Sequence, residues 1–135
     1  TNGETVEPGT SGGISAVGMI ATSVGGLVIG LLAALGNGLN AEGLMTGSTG
    51  AILIVSGLLG GISGSLVDSV LGATVQAIYL TRDRERETEK PFDFEGTPNT
   101  LVRGWPWLNN DWVNFISSIV GALTAAVVAW LWIKP

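Results

Sequence analysis

The chain has 135 residues and neither cysteine nor histidine. Without cysteine there is no disulfide framework, no cysteine-ligated zinc or iron–sulfur site and no thiol nucleophile. Without histidine the usual general base and the commonest metal ligand are missing. Any metal must then be held by carboxylate and amide oxygens, which favours Mg²⁺ or Mn²⁺ over Zn²⁺. Charge is also scarce, at 13% of residues, where a globular chain has about 25%. The net charge of −5 speaks against a nucleic-acid partner. What is abundant is apolar: 46% of residues are hydrophobic and the mean hydropathy is +0.47. Glycine fills 21 positions, about double the usual ~7% share.

Three segments are long and apolar enough to cross a bilayer, which takes roughly 20 residues for a ~30 Å core. The first runs from about Ile14 to Leu35 and the third from about Val113 to Ile133, both without charge. The second runs from about Ala51 to Leu80, interrupted only by Asp68. The competing reading, three buried helices of a soluble bundle, would require a polar face that these segments lack. The expected fold is therefore an all-α integral membrane protein, with residues 1–135 forming a single membrane domain. Residues 1–13 carry Glu4 and Glu7 rather than a basic leader, unlike a signal peptide.

Charge placement sets the expected orientation. The loop 81–112 holds Arg82, Arg84, Arg86, Lys90 and Arg103, whereas the loop 36–50 holds no basic residue. The positive-inside rule puts the 81–112 loop and the N-terminus in the cytoplasm of a multi-pass cell-membrane protein. Trp105, Trp107 and Trp112 before the third span, and Trp130 and Trp132 at its far end, fit interfacial anchors. Small residues recur at four-residue spacing in Gly26–Gly30, Gly57–Gly61 and Gly60–Gly64, a pattern that lets helix backbones approach in lipid. Three helices bury little polar surface, so completion by a missing half, a second polypeptide or a homo-oligomer is expected.

Three polar clusters stand out. Asp68 is ionisable within a span, a functional hypothesis by default. It lies 17 positions after Ala51, or roughly 26 Å along a helix, near the cytoplasmic edge. Ser65, Asp68, Ser69, Gly72 and Gln76 follow helical spacing and form one polar stripe, able to hold a metal-bound phosphate. Equally, Asp68 could cap a break near Gly72 or bond to a neighbouring helix. The second cluster, Asn109, Asn110, Asp111 and Asn114, opens the third span. Asn109 or Asn110 suits a helix N-cap, with Asp111 at the positive end of the dipole, but Asn114 sits inside the span. The third cluster, Thr10, Ser11, Gly12 and Gly13, is either a backbone cradle for phosphate or a flexible entry loop. It lacks the GxxxxGK[ST] pattern of a phosphate-binding loop. In the expected orientation all three clusters fall at cytoplasmic span ends, where Arg103 or Lys90 could meet anionic oxygens.

The same residues carry a family resemblance. Val6-Glu-Pro-Gly-Thr-Ser-Gly-Gly-Ile-Ser15, Gly64-Ser-Leu-Val-Asp-Ser-Val-Leu-Gly-Ala-Thr-Val-Gln76 and Leu108-Asn-Asn-Asp-Trp-Val-Asn-Phe115 resemble successive blocks of the DUF92 family. That family includes the transmembrane protein 19 group and a plant phytyl-phosphate kinase. The resemblance covers the C-terminal half of a family domain, without its upstream apolar segments and acidic stretch. It implies a membrane isoprenyl-phosphate kinase that moves a phosphoryl group from CTP or another nucleoside triphosphate to a lipid monophosphate. It further implies Asp68 and Asp111 as catalytic residues and Mg²⁺ ligands. Thr10, Ser11, Gly12, Gly13, Ser65, Ser69, Gln76, Asn109, Asn110, Asn114 and Arg103 would bind lipid phosphate or nucleotide. The alternative is a non-enzymatic membrane protein, a transporter subunit or a scaffold, which broken glycine-rich helices also fit.

The orientation is testable because the chain has no cysteine of its own. An introduced Glu87→Cys is expected to react with a membrane-impermeant thiol reagent from the cytoplasmic side; reaction only from outside inverts the topology.

Overall fold

The computed structural model describes residues 12–40, 47–81 and 86–132. Three helices dominate: α1 (Ala16–Asn40), α2 (Gly47–Thr74) and α3 (Asn110–Trp132). They contain 25, 28 and 23 residues, or about 37, 42 and 34 Å at 1.5 Å per residue. Each exceeds the hydrocarbon thickness of a bilayer. Their most apolar windows have mean hydropathies of 2.1, 1.9 and 1.9, yet only 11%, 17% and 6% of those windows is buried. Side chains that apolar and that exposed have lipid as their solvent. Three membrane-crossing helices therefore stand as expected.

The chain divides into two compact units. The larger is helical and comprises residues 14–67 and 117–135. Ser15 starts α1: the Gly18 N–H donates to its hydroxyl at 3.0 Å, and the Met19 N–H to its carbonyl at 3.0 Å. Glycines then set the helix spacing. A methyl group on Gly30 would come within 2.7 Å of the Ile54 Cα, and one on Gly57 within 2.7 Å of the Gly30 Cα. On the other side of α2, a methyl on Gly60 would lie 2.8 Å from the Gly121 carbonyl oxygen and 2.9 Å from the Ala125 Cβ. Thus α2 presents one row of glycines to α1 and another to α3. Hydroxyls in this unit turn back onto their own helices. Ser23 donates to the Met19 carbonyl, Ser56 to Ile52 and Thr124 to Val120, at 2.8–2.9 Å. Such bonds satisfy polar atoms that lipid cannot. One hydroxyl pair crosses between helices, Thr22 to Ser65 at 3.3 Å.

The smaller unit gathers Gly12 and Gly13 with residues 68–116. Here the structure corrects the expected second span. The helix stops at Thr74 rather than near Leu80, and Ile78–Leu80 is a strand, β1. The N–H groups of Val75 and Gln76 both donate to the Leu71 carbonyl at 3.0 Å and close the last turn. Beyond it, Ile78, Tyr79 and Leu80 are residue types that suit a half-buried pleat. An apolar run alone cannot distinguish that strand from more helix. The expected loop also contains β2 (Glu87–Thr88) and β3 (Thr100–Arg103). The sheet is antiparallel in the order β2-β1-β3. Ala77, Ile78, Tyr79, Leu108 and Val113 are buried and form this unit's own core. Gly104 seals its base: its φ is +80° and an added Cβ would overlap the Gln76 carbonyl. Only glycine fits that left-handed, crowded position. The next residue, Trp105, donates its N–H to the Val75 carbonyl at 3.0 Å.

Glycine contacts on the two faces of α2 make opposite predictions from an open glycine. Gly57→Ala pushes on backbone and is expected to lower stability by about 1–3 kcal/mol. Gly25 has nothing within 4 Å, so Gly25→Ala should raise stability by up to about 1 kcal/mol. Unfolding of both variants in mixed micelles measures the difference; equal effects would remove the close-packing account.

Candidate functional site

The end of α2 supplies Asp68, Ser69 and Gly72. Asp68 and Ser69 are half-buried and Gly72 is buried. Asp68 lies six residues before Thr74, or about 9 Å along the axis from the helix end. That is nearer the end of the span than the middle of a ~30 Å core. Gln76 does not extend the stripe. It follows the end of the helix, is only 2% exposed and sits beneath Gly104. The helical spacing that grouped it with Asp68 holds only as far as Gly72. Ser65 belongs to the helical unit, where its hydroxyl accepts from Thr22.

Gly12 meets this helix end directly. Its φ is +81°, and an added Cβ would overlap the backbone of Ala73. A glycine is required there by both conformation and space. Gly13 follows it, exposed to solvent. Thr10 and Ser11, the other members of the glycine-rich cluster, lie outside the described residues.

Arg103 also reaches this helix end. Its guanidinium donates a hydrogen bond to the Ala73 carbonyl oxygen. A cation on the last carbonyls of a helix satisfies an orphan acceptor and complements the dipole. Arg103 therefore has a capping role, with further N–H donors beyond that bond. Lys90 is held elsewhere, with its ammonium 5.1 Å from the centre of the Phe94 ring.

The start of α3 brings the asparagine cluster. Asn109 is the N-cap: its side-chain oxygen accepts from the Trp112 N–H at 3.1 Å, and its carbonyl from Val113 at 3.1 Å. Asp111 occupies the first turn, where a negative charge complements the dipole. Asn110 and Asn114 are exposed one turn apart. Asn109, Asp111, Trp112 and Phe115 line an open pocket of about 310 Å³. Its aromatic wall is an edge-on pair, Trp112 and Phe115, with ring centres 5.8 Å apart. A carboxylate and an amide beside two aromatic rings suit an amphipathic ligand. The two helix ends are tied together by the Ala77 N–H, which donates to the Leu108 carbonyl at 2.9 Å.

Portions of all three clusters thus fall in one compact unit: Gly12 and Gly13, Asp68 to Gly72, and Asn109 to Asn114. Two features escaped the sequence reading, the Arg103 cap and the aromatic side of the pocket. Trp112 and Phe115 at three-residue spacing were the available signal for the pocket. Arg103 had none, because a cap from a distant strand leaves no local pattern.

For a metal, the donor set is limited to oxygen. Among the described residues, no group of three or more carboxylates gathers. A protein-only Ca²⁺ cage is therefore not present among them. One or two carboxylates completed by water and substrate phosphates is the usual arrangement for Mg²⁺, and the residues at hand fit that kind of binding.

Three helices long and apolar enough to cross a membrane define a multi-pass integral membrane protein. The family described as integral membrane protein DUF92 matches residues 1–122, and the chain belongs to that family. It is 29% identical over 131 residues to Protein PGR of Arabidopsis thaliana, an alignment covering 92% of this chain and 42% of that protein. The chain thus spans less than half the length of that relative. No solved structure matches it.

The cap makes its own prediction. Asn109→Ala is expected to cost about 1 kcal/mol of stability, whereas Asn109→Asp keeps the acceptor and most of the stability. Thermal unfolding in detergent separates the two; equal losses would mean that Asn109 does not act as a cap.

Proposed function

We propose that this chain contributes the cytoplasmic-side site of a membrane isoprenyl-phosphate kinase, similar to phytyl-phosphate kinase. The donor is CTP or another nucleoside triphosphate and the acceptor is a lipid monophosphate. The observation that carries this reading is the gathering of Gly12, Asp68 and Asp111 in one unit at the ends of two spans. The lipid reaches such a place from the bilayer and the nucleotide from water. Asp68 near the end of its span supports this reading over transport, which would place a carboxylate at midplane with access from both sides.

In the reaction an oxygen of the lipid phosphate attacks the terminal phosphorus of the nucleotide. The bond from that phosphorus to the bridging oxygen breaks, and a lipid diphosphate and a nucleoside diphosphate leave. The attacking phosphate is already ionised, so the absence of histidine is no obstacle. Such a transfer depends on positioning and charge neutralisation more than on covalent chemistry. Asp68 and Asp111 would hold Mg²⁺, with amide oxygens of Asn110 and Asn114 near it; the ion supplies neutralisation of phosphate charge. Backbone N–H groups of the 10–13 segment would orient phosphate oxygens, as main-chain amides commonly do. Ser69 lies beside Asp68 as a further hydroxyl donor. Trp112 and Phe115 offer apolar contact to the isoprenyl chain beside the polar wall of their pocket.

The test is lipid-kinase activity in proteoliposomes with phytyl or geranylgeranyl monophosphate, Mg²⁺ and CTP, ATP, GTP or UTP in turn. Diphosphate formation by the chain is expected, and Asp68→Asn should reduce it at least about 100-fold, the scale of losing one electrostatic contact to the transition state. No product, with the protein folded and monodisperse, would favour the transporter or scaffold reading. Unchanged turnover in Asp68→Asn would remove Asp68 from the mechanism.

A further inference from the structure

Between β2 and β3 the chain makes a tight excursion from Lys90 to Asn99. It is heavily cross-linked for its length. The Asp93 carboxylate accepts from the N–H groups of Glu95 and Thr97 at 2.9 and 2.8 Å. The Asp93 N–H donates to the Thr97 carbonyl at 2.9 Å. Phe92 pairs with Pro98 across the turn. At its base, the Asn99 N–H donates to the Pro91 carbonyl at 2.8 Å and its side-chain amide to the Lys90 carbonyl at 3.0 Å.

This fastened tip holds apolar rings outward. Phe94 is 99% exposed and Phe92 is 56% exposed. A loose loop could fold such rings back onto the sheet. Here the turn's own bonds fix the backbone that carries the rings, the rings stand exposed, and water is a poor solvent for them. The Lys90 ammonium stands 5.1 Å from the centre of the Phe94 ring. The tip therefore carries a ring and a cation side by side, the chemistry of a residue pair seated at a lipid headgroup.

Connectivity places an apolar phase nearby. The same unit contains the end of α2 and the start of α3. Both feet of the tip pair with β1, Thr88 with Tyr79 and Thr100 with Leu80, and β1 begins four positions beyond Thr74, where α2 ends. Trp105 and Trp107, just before α3, stack with ring centres 5.6 Å apart and are both about half exposed or more. Large aromatic rings of this kind concentrate at membrane–water boundaries. The exposed apolar surface at the tip is two rings rather than a broad face, which suits insertion among headgroups more than a protein partner.

We propose that the Lys90–Asn99 tip is a membrane-interface anchor: Phe94 and Phe92 seat among lipid headgroups, and Lys90 meets lipid phosphate. Glu89 and Glu95 beside Lys90 disfavour a strongly anionic surface, so the surface it fits is zwitterionic. The anchor fixes the sheet against the bilayer and adds a peripheral contact to three spans. It stands independently of any catalytic reading.

The experiment uses the absence of native cysteine. Phe94→Cys is labelled with an environment-sensitive NBD fluorophore in phosphatidylcholine nanodiscs, with Glu87→Cys as the aqueous reference. Phe94→Cys should emit to the blue of the reference and be quenched by lipids bearing a nitroxide high on the acyl chain. Phe92→Cys, read the same way, should agree, so that one poorly folding variant does not decide the matter. Emission matching the reference, with quenching by iodide instead, would overturn the proposal. So would a blue shift insensitive to lipid nitroxides, which would mean that protein covers the tip.

Discussion

The structure depends on backbone-to-backbone contact along α2. In hydrocarbon, apolar side chains gain nothing from leaving lipid for one another, so close packing must hold helices together. Gly57 against Gly30, and Gly60 against Gly121, bring main chains to distances that no side chain would allow. The remaining surface of the three helices can then be large, apolar and exposed, as Leu27, Ile29, Leu123 and Val127 are. Composition follows from this division of labour: glycine where helices meet, branched and long aliphatic residues where they face lipid.

A second rule governs where each helix stops. A polar backbone group cannot be left bare near lipid, so the start of α1, the start of α3 and the end of α2 each recruit a specific partner. Ser15 starts α1, Asn109 starts α3, and Arg103 reaches the last turn of α2 from a strand thirty residues away in sequence. The small sheet makes that last connection. It places Arg103 beside Ala73, presses Gly104 onto Gln76 and buries Leu108 with Ile78 and Tyr79. Among the described residues the buried hydrophobic side chains fall mostly in the smaller unit, as Ala77, Ile78, Tyr79, Leu108 and Val113 against Ala34 in the helical unit.

These two rules explain what the sequence could and could not reveal. The spans were legible because length and hydropathy alone set them. Their glycine contacts were legible as a spacing, although the pairing of Gly57 with α1 and Gly60 with α3 was not. The end of α2 was misread because Ile78-Tyr-Leu continues an apolar run, and hydropathy does not record a change from helix to strand. Gln76 went astray with it, counted by helical spacing past the point where the helix had ended. At α3 the cap was anticipated for Asn109 or Asn110, and only geometry selects Asn109. Strands of two to four residues, paired across an excursion that hides Phe92 and Phe94 in an otherwise charged stretch, leave almost no periodic signal.

Separating caps from other polar residues also narrows the chemistry. Asn109 and Arg103 satisfy helix ends, which accounts for their position before any ligand is invoked. Gly12 is required by its φ and by Ala73, whatever the rest of its segment binds. Asp68 and Asn114 are different, because neither occupies a capping position and both lie within helices that cross lipid. An ionisable side chain such as Asp68 is expensive in such a place unless something uses it. In the proposed phosphate site, Asp68, Asn114 and the first-turn Asp111 are the residues set apart from the caps. The capping residues form the frame that fixes where their helices begin and end.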